Sequence, residues 1–312
     1  MNKNNAILSQ STQLIALDYY FDEMVKLYKS KKFPKVLLLN GQKGIGKFTL
    51  VLHFLNYIFS TKEKTNYNTN NKIININSKF YNSIINQTSQ EIILLQAQED
   101  KNIKINDIRN LKSSLSSSSL SDGPRFTIID EVEFLNTNSA NALLKTLEEP
   151  SDNNYFILIN NQQSNLLETI SSRCLKNNIF LNIAQKKSII DFLIQDQKIE
   201  ILIDKNEYMS PGQFIIFNDH FKKYKIFSSD DIKIKLQKLL YGYKKDKNKT
   251  LISLSFFLID QFFYKLIIEN ENRIEFLLDI KFSLINRIND FIQYNLNINS
   301  VLNGIELKIN NV

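Results

Sequence analysis

The chain has 312 residues, of which 43% are hydrophobic and 23% charged, with only 7 glycines and 4 prolines. This balance excludes a disordered chain and is typical of a folded, helix-rich protein, and the length allows two or three domains. One cysteine excludes a disulfide framework, and with two histidines it cannot complete an ordinary four-ligand zinc site, so no zinc is expected.

The net charge is +7, which favours a nucleic-acid partner, although the abundance of Lys, Asn and Ile also fits a biased codon composition. Five of the 39 basic residues are arginine, the residue most used to recognise base edges, so any DNA contact is expected at phosphates. The start MNKNNAILSQ lacks the apolar core of a signal peptide. The most apolar stretch, Leu251–Ile268, contains Asp260 and Lys265 and is interpreted as a buried helix. We therefore expect a cytoplasmic protein without a membrane partner.

The first half of the chain alternates helical patterns with short apolar runs, which are typical of buried parallel strands. The predicted elements are, in order, a helix at Gln13–Ser30, a strand at Lys35–Asn40, a helix at Lys47–Phe59, a surface loop at Thr61–Asn71, a strand at Glu91–Leu95, a helix at Asn106–Leu115, a Ser-rich connection to Ser121, a strand at Arg125–Asp130, a helix at Ser139–Glu148, a strand at Tyr155–Asn160 and a helix at Leu166–Ser172. This alternation predicts an α/β fold with a parallel sheet and with ligands at the carboxyl ends of its strands.

From about Asn182 the pattern becomes helical, first at Lys186–Gln195 and Ser210–Phe221 and then from Ser228 onwards. The expected organisation is therefore an α/β domain at residues 1–181, a small helical domain at 182–227 and an all-helical domain at 228–312.

A glycine-rich motif stands between the first predicted strand and the next helix. Gly41, Gly44 and Gly46 would let successive backbone N–H groups face phosphate oxygens, and Lys47 would reach the outer phosphates. The sequence therefore predicts a nucleotide-binding P-loop. The alternative is a glycine turn between strand and helix without a nucleotide.

The residue after the P-loop lysine is Phe48, where the motif requires Ser or Thr to hold magnesium. Thr49 could face the inner phosphate, but a one-residue shift rotates a helical side chain by about 100°, so it should not replace the missing ligand. Binding of ATP and magnesium is therefore left open.

Asp130 and Glu131 follow a buried strand downstream of the P-loop. In an ATPase, Asp130 would hold the hydrated magnesium ion and Glu131 would polarise the attacking water. The alternative is an acidic pair that marks a strand leaving the core.

The segments Asn141–Pro150 and Ser172–Cys174 resemble the clamp-loader family of AAA+ proteins, which close sliding clamps around primed DNA. Asp130-Glu131, Phe33-Pro34 and Phe156–Asn161 support the resemblance, which covers roughly residues 10–225. It implies an AAA+ P-loop sheet domain, a helical lid and an all-helical collar that joins subunits, although a helical domain packed on its own chain remains an alternative.

By resemblance, Arg173 is an arginine finger supplied to the ATP of a neighbouring subunit, and Asn161 senses the γ-phosphate. Asn161 could equally form the turn that closes its strand. Cys174 is interpreted as a small buried residue.

Three departures distinguish this chain from the motor subunits of bacterial loaders. These are Phe48, the absence of cysteines in Thr61–Lys79 where motors carry a zinc module, and the absence of arginine in Ser210–Gln213, where motors carry a second phosphate sensor. They favour a stator-like DNA polymerase III subunit without independent ATPase activity. The alternative is an active motor subunit of the gamma/tau type, and a more distant one is another AAA+ DNA-remodelling factor.

The resemblance also implies partners: the motor gamma/tau and delta subunits, the sliding clamp and the phosphates of primer–template DNA. Lys104 and Arg109 are the candidate DNA contacts, with a solvated helix face as the alternative.

Overall fold

The computed structural model describes residues 11–86, 88–97, 102–116, 123–204 and 209–310. These residues divide into two compact units. The first comprises the described residues of Met1–Lys198 and Glu207–Gln213, and the second those of Ile199–Asn206 and Phe214–Val312.

A five-stranded sheet forms the centre of the first unit. Its strands are β1 (Val36–Asn40), β2 (Ile92–Gln96), β3 (Arg125–Asp130), β4 (Asn154–Asn160) and β5 (Leu175–Asn178). They lie in the order β2-β3-β4-β1-β5, and each neighbouring pair is parallel. The carboxyl ends of the strands therefore share one edge, which is where an open α/β sheet binds ligands.

Helices cover both faces of this sheet. They are α1 (Asp18–Lys29), α2 (Lys47–Phe59), α3 (Lys79–Ile85), α4 (Ile105–Ser116), α5 (Thr137–Glu148), α6 (Glu168–Ser171) and α7 (Ile183–Gln197). Because successive strand side chains point to opposite faces, β1 contributes Leu37 and Leu39 to one hydrophobic core and Val36 and Leu38 to the other. Residues of α1, α2 and α3 complete the first core, and residues of α4, α5 and α6 complete the second.

The second unit is helical. Helix α8 (Pro211–Lys223) begins in the first unit and continues in the second, and α9 (Ile232–Asp246), α10 (Lys249–Glu269), α11 (Ile274–Tyr294) and α12 (Ile298–Ile309) follow. Helix α10 packs on α9, α11 packs on α10 and α12 packs on α11. By length and composition alone α10 could span a membrane, with a mean hydropathy of 1.7 over its most apolar window, but core helices of soluble proteins meet the same criterion. Its residues Leu251, Leu254 and Phe263 are buried, but only 39% of the window is, so the helix is less completely buried than the sequence predicts.

These findings confirm the predicted fold class, an α/β P-loop sheet domain followed by a helical C-terminal region. The predicted three-domain division at residues 181 and 227 stays a prediction. The part of the Ser-rich connection at residues 117–121 lies outside the described residues.

Three local features differ from the sequence prediction. The pattern misses α3 and β5, because β5 is a mostly exposed edge strand of sequence Leu-Lys-Asn-Asn without an apolar run. Helix α1 begins five residues later than predicted, at Asp18, because Gln13 forms a bridge with Ile73 and Ala16 has a φ of 59°. The predicted loop at Thr61–Asn71 is largely exposed, but its Tyr67 is buried in the core.

Candidate functional site

The loop between β1 and α2 has the geometry of a phosphate-binding P-loop. Gly44 and Gly46 have φ angles of 82° and 92°, which glycine adopts without strain. A Cβ atom at Gly41 would lie 2.5 Å from the carbonyl oxygen of Ile179. The loop ends at the N-terminus of α2, whose first backbone N–H groups favour an anion. All three predicted glycine positions thus have a structural requirement for glycine.

Lys47 is buried inside this loop. Its Nζ donates hydrogen bonds to the carbonyl oxygens of Gly41 at 2.6 Å and Gln42 at 2.7 Å. Burial lowers the pKa of Lys47 to about 8, although the carboxylates of Asp130 and Glu133 act in the opposite direction. To bind a phosphate, the ammonium group would have to exchange its two carbonyl partners for phosphate oxygens.

The start of α8 lies directly on the P-loop. Ser210 and Gln213 cap its first turn, because the Gln213 N–H donates to Ser210 Oγ at 3.3 Å and the Ser210 N–H donates to Gln213 Oε1 at 3.1 Å. The Gly212 N–H donates to the carbonyl oxygen of Gly44 at 2.8 Å. The segment that in motor subunits would carry a second arginine thus contacts the P-loop through its backbone.

Phe48 turns its ring into the hydrophobic core of the α2 face. It lines a cavity of about 230 Å³ together with aliphatic residues that include Leu52, Ile84 and Leu94. Thr49 is half-buried in the first turn of α2. The side chain that follows the P-loop lysine therefore offers no oxygen to a metal ion.

Asp130 ends β3 and is surrounded by amide donors. Its Oδ1 accepts the backbone N–H of Glu131 at 2.9 Å and Asn161 Nδ2 at 3.3 Å, and its Oδ2 accepts Gln96 Nε2 at 3.2 Å. Burial raises the pKa of Asp130, and these three hydrogen bonds and the Lys47 ammonium oppose that shift. The structure thus brings Asp130 and Asn161, two predicted site residues, into contact.

Glu131 is paired with a lysine of the P-loop. It has a left-handed φ of 58°, and its Oε1 lies 2.8 Å from Lys43 Nζ. Lys43 also donates to Gln163 Oε1 at 2.9 Å. The Lys43 side chain thereby connects the P-loop to the ends of β3 and β4, and it neutralises the carboxylate that would polarise water in an ATPase.

Glu133 is a buried site residue that the sequence prediction misses. Its two carboxylate oxygens accept the backbone N–H of Asn161 at 3.0 and 3.1 Å, and Oε1 also accepts the N–H of Gln163 at 3.3 Å. It fixes the chain where it leaves β4. A third acidic residue close after Asp130 and Glu131 is the sequence signal that could identify it.

A row of asparagines crosses the same edge of the sheet. Asn160 Nδ2 donates to Asn40 Oδ1, and Asn40 Nδ2 donates to Asn178 Oδ1, each at 2.8 Å. Asn40 is the register partner of both other residues. These amides join β4, β1 and β5 immediately before the P-loop. The sequence does not reveal this role, because asparagine is frequent throughout the chain.

Arg173 lies away from the P-loop and the residues around Asp130. Arg173 precedes β5, and the P-loop follows the end of the neighbouring β1. Because the two strands are parallel, Arg173 lies at the amino ends of the strands and the P-loop at their carboxyl ends. Arg173 Nε donates to Glu148 Oε1 at 2.6 Å, and Nη1 donates to the carbonyl oxygen of Thr169 at 2.8 Å. The side chain is 31% exposed and lines an open groove of about 450 Å³. Cys174 is half-buried, donates to the Ile170 carbonyl oxygen and has a pKa raised to about 11 by burial.

Lys104 and Arg109, the candidate DNA contacts, are exposed around the start of α4. The Lys104 N–H donates to Asp107 Oδ2 at 2.8 Å, and Arg109 Nη1 donates to Asn106 Oδ1 at 3.4 Å. Neither of these hydrogen bonds involves the P-loop or the residues around Asp130.

The two parts of an ATP–magnesium ligand fit this site unequally. The glycine loop fits a phosphate chain, because Gly44 and Gly46 have φ angles that suit glycine and the loop ends at the N-terminus of α2, whose backbone N–H groups favour an anion. The donor set does not fit magnesium, since residue 48 is phenylalanine and Glu131 is already paired with a lysine. Among the described residues, no group of three or more acidic, histidine or cysteine side chains could hold a metal ion.

Comparison with known proteins places the sequence of this chain in a family. Residues 18–181, more than half of the chain, match the family model described as DNA polymerase III, delta subunit. The DNA polymerase III subunit delta′ of Pseudomonas aeruginosa is 37% identical over 90 residues, or 28% of this chain and 27% of that protein. The subunit delta′ of Buchnera aphidicola subsp. Schizaphis graminum is 27% identical over 159 residues, or 49% of this chain and 45% of that protein.

A DNA polymerase III subunit gamma is also similar. That of Buchnera aphidicola subsp. Acyrthosiphon pisum is 36% identical over 105 residues, or 34% of this chain and 28% of that protein. In each case the similarity spans less than half of the relative's length. The matched region contains the P-loop, the Asp130 cluster and Arg173, and the chain belongs to the DNA polymerase III, delta subunit family, as a delta′-like member.

Proposed function

We propose that the chain is a stator-like subunit of the DNA polymerase III clamp loader that helps to load the sliding clamp onto primed DNA. In this proposal it donates Arg173 to the ATP site of a neighbouring subunit and has no independent ATPase activity. Family membership supports the assignment to the polymerase assembly. The separation of Arg173 from its own P-loop is the observation that carries the role of this arginine.

This separation follows from the parallel sheet. Strand β5 spans roughly 10 Å at about 3.3 Å per residue, and it ends at Asn178, which pairs with the last residue of β1. Arg173 lies before the start of β5 and the P-loop lies after the end of β1, so the strand length separates the guanidinium from its own phosphate cradle. This separation supports the proposal that the partly exposed guanidinium serves a phosphate brought by another chain.

The hydrogen bonds of Arg173 also suit this role. Contacts with Glu148 and with the Thr169 carbonyl oxygen fix the direction of the guanidinium plane at the protein surface. A planar, permanently charged group in a fixed direction stabilises the negative charge that develops on a transferred phosphoryl group. The pair with Glu148 is partly exposed, so a stronger anionic partner can replace it.

The test is the ATPase activity of a clamp loader assembled with Arg173→Ala in place of the wild-type chain. We expect turnover at the neighbouring ATP site to fall by about 10³-fold or more, with assembly and folding of the chain unchanged. Arg173→Lys should also lose most of the effect, because lysine keeps the charge but not the planar fork. Lys187→Ala, an exposed change on α7, is the control. An unchanged turnover rate in Arg173→Ala would rule out the finger.

The second candidate is an ATP-hydrolysing motor subunit. Its support is the complete glycine loop with a buried Lys47 and the similarity to a gamma subunit. If the purified chain hydrolysed ATP and Lys47→Ala abolished this activity, the assignment as a motor subunit would replace the assignment as a stator-like subunit. The Phe48 ring and the Lys43–Glu131 pair speak against this outcome.

The proposal includes contact with other loader subunits and the clamp, contact between DNA phosphates and Lys104 and Arg109, and a cytoplasmic location. The DNA-binding constant K falls as the salt concentration rises. Each removed phosphate contact should make the plot of log K against log salt less steep by about 0.9. The double variant Lys104→Ala/Arg109→Ala in the assembled loader tests the DNA contact. If its slope equals that of the wild type, the two residues form a solvated surface.

A further inference from the structure

The carboxylates around the P-loop are hydrogen-bonded to or paired with groups of the chain itself. Asp130 accepts three amide N–H groups, and Glu133 accepts backbone N–H groups of the segment that follows β4. Glu131 is paired with the ammonium group of Lys43 at 2.8 Å. The groups that would bind hydrated magnesium in an ATPase therefore have other partners here.

Lys43 belongs to the phosphate loop itself. It lies between Gly41 and Gly44, and its side chain is 36% exposed, so a ligand in the loop can approach its ammonium group. Gln163 Oε1 and Glu131 Oε1 hold the Nζ atom at the carboxyl ends of the strands, where an open α/β sheet binds its ligands. The loop thus carries two ammonium groups, the partly exposed Lys43 and the buried Lys47.

We propose that Lys43 takes the place of the magnesium ion, so that the P-loop binds a nucleoside polyphosphate in its metal-free form. This inference rests on the proposed function, because it concerns the same P-loop that the proposal leaves without ATPase activity. The Lys43 ammonium group, which is paired with Glu131, would bridge that carboxylate and the phosphate chain, as a magnesium ion bridges an acidic side chain and phosphates elsewhere. Because Phe48 provides no oxygen ligand, a bound metal ion would gain no direct contact from the position that normally supplies one.

Magnesium should then have no favourable effect on binding. A metal-free triphosphate keeps its full negative charge for the ammonium groups and the helix N-terminus, whereas bound magnesium cancels part of it. A P-loop with an intact metal site has the opposite preference.

The experiment is a titration of the full chain with a fluorescent ATP analogue, in EDTA and in excess magnesium. We expect saturable binding in EDTA, with an affinity equal to or higher than that in magnesium, and competition by inorganic tripolyphosphate. Lys43→Gln, which keeps a hydrogen-bond donor for Glu131 but removes the charge, should weaken binding in EDTA by about tenfold or more. Lys187→Gln removes the same charge on exposed α7 and should bind like the wild type.

Three results would overturn the proposal: no saturable binding in EDTA, binding at least tenfold tighter in magnesium, or equal binding by Lys43→Gln and the wild type. Circular dichroism shows whether Lys43→Gln is folded. If it is not, the comparison of EDTA and magnesium on the wild-type chain still decides the question. Failure here leaves the Arg173 assay unaffected, since that assay reads the neighbouring subunit's ATP site, so the two proposals fail separately.

Discussion

The backbone N–H of Gly212 donates a 2.8 Å hydrogen bond to the carbonyl oxygen of Gly44, and a Cβ atom at Gly212 would lie 2.7 Å from Gly44 Cα. This contact joins the first turn of α8 to the middle of the P-loop. Because backbone atoms approach this closely, neither side can yield by rotating a side chain. The conformation of the phosphate loop therefore depends on a residue about 170 positions later in the chain.

Gly212→Ala should destabilise the first unit by about 1–3 kcal/mol, as expected when an extra methyl group is forced into a packed site. The loss should appear as a lower midpoint in urea unfolding. Gly304→Ala is the matched control, because its Cβ would meet the guanidinium of Arg287, the movable end of a long side chain. The Gly304 variant should stay within about 0.5 kcal/mol of the wild type, and equal losses in both variants would contradict the importance of the Gly44 contact.

Glu148→Gln should reduce the ATPase activity of the assembled loader by a smaller factor than Arg173→Ala. The amide oxygen can still accept a hydrogen bond from Arg173, but it holds the guanidinium less firmly than a carboxylate does. The pair is partly exposed on both sides, so stability should change by less than about 1 kcal/mol. Parallel ATPase and unfolding measurements check both expectations, and full activity of Glu148→Gln would show that this pair does not position Arg173.

Glu133→Ala should cost about 2 kcal/mol of stability, because it leaves the buried backbone N–H of Asn161 and the less buried N–H of Gln163 without their acceptor. Glu133→Gln keeps one acceptor oxygen and should cost less. Glu149→Ala, an exposed change at the end of α5, should stay within about 0.5 kcal/mol. The three midpoints in urea give the comparison, and a loss in Glu133→Ala no larger than in Glu149→Ala would refute the anchoring role.

His53 should make stability fall as the pH is lowered from about 6.5 towards 4. Burial lowers its pKa to about 4. The neutral ring lies 2.9 Å from Tyr67 Oη through Nδ1 and 3.3 Å from the Ser11 carbonyl oxygen through Nε2. Below pH 6.5 the unfolded chain gains a proton that the folded chain refuses, so this residue alone should remove about 2 kcal/mol between pH 7.5 and 5.

Urea unfolding of the wild type and His53→Gln at these two pH values measures this loss. The difference between the two pH values should be about 2 kcal/mol smaller in the variant. His220→Gln is the control, because burial also lowers that pKa but the side chain is only half-buried. An identical pH dependence in the wild type and His53→Gln would show that His53 is not buried in its neutral form.

The sequence by itself determined the fold class and the strand, turn and helix of the P-loop. These depend on local signals: apolar runs predict buried strands, glycines mark the turn at Gly41 to Gly46, and helical periodicity identifies α2. The missing oxygen at Phe48 and the family resemblance around Arg173 could likewise be read without coordinates. Strand β5 could not be predicted from the sequence, because an exposed edge strand needs no apolar pattern.

Only the tertiary structure decided which of these groups meet. Asp130 contacts Asn161 because β3 and β4 are neighbours in the sheet, and Lys43 reaches Glu131 because β1 lies on the other side of β4. Arg173 lies at the end of the strands opposite to the P-loop because β5 runs parallel to β1. Such relations arise from strand order and direction, which are fixed by packing between segments far apart in sequence, so no local pattern contains them.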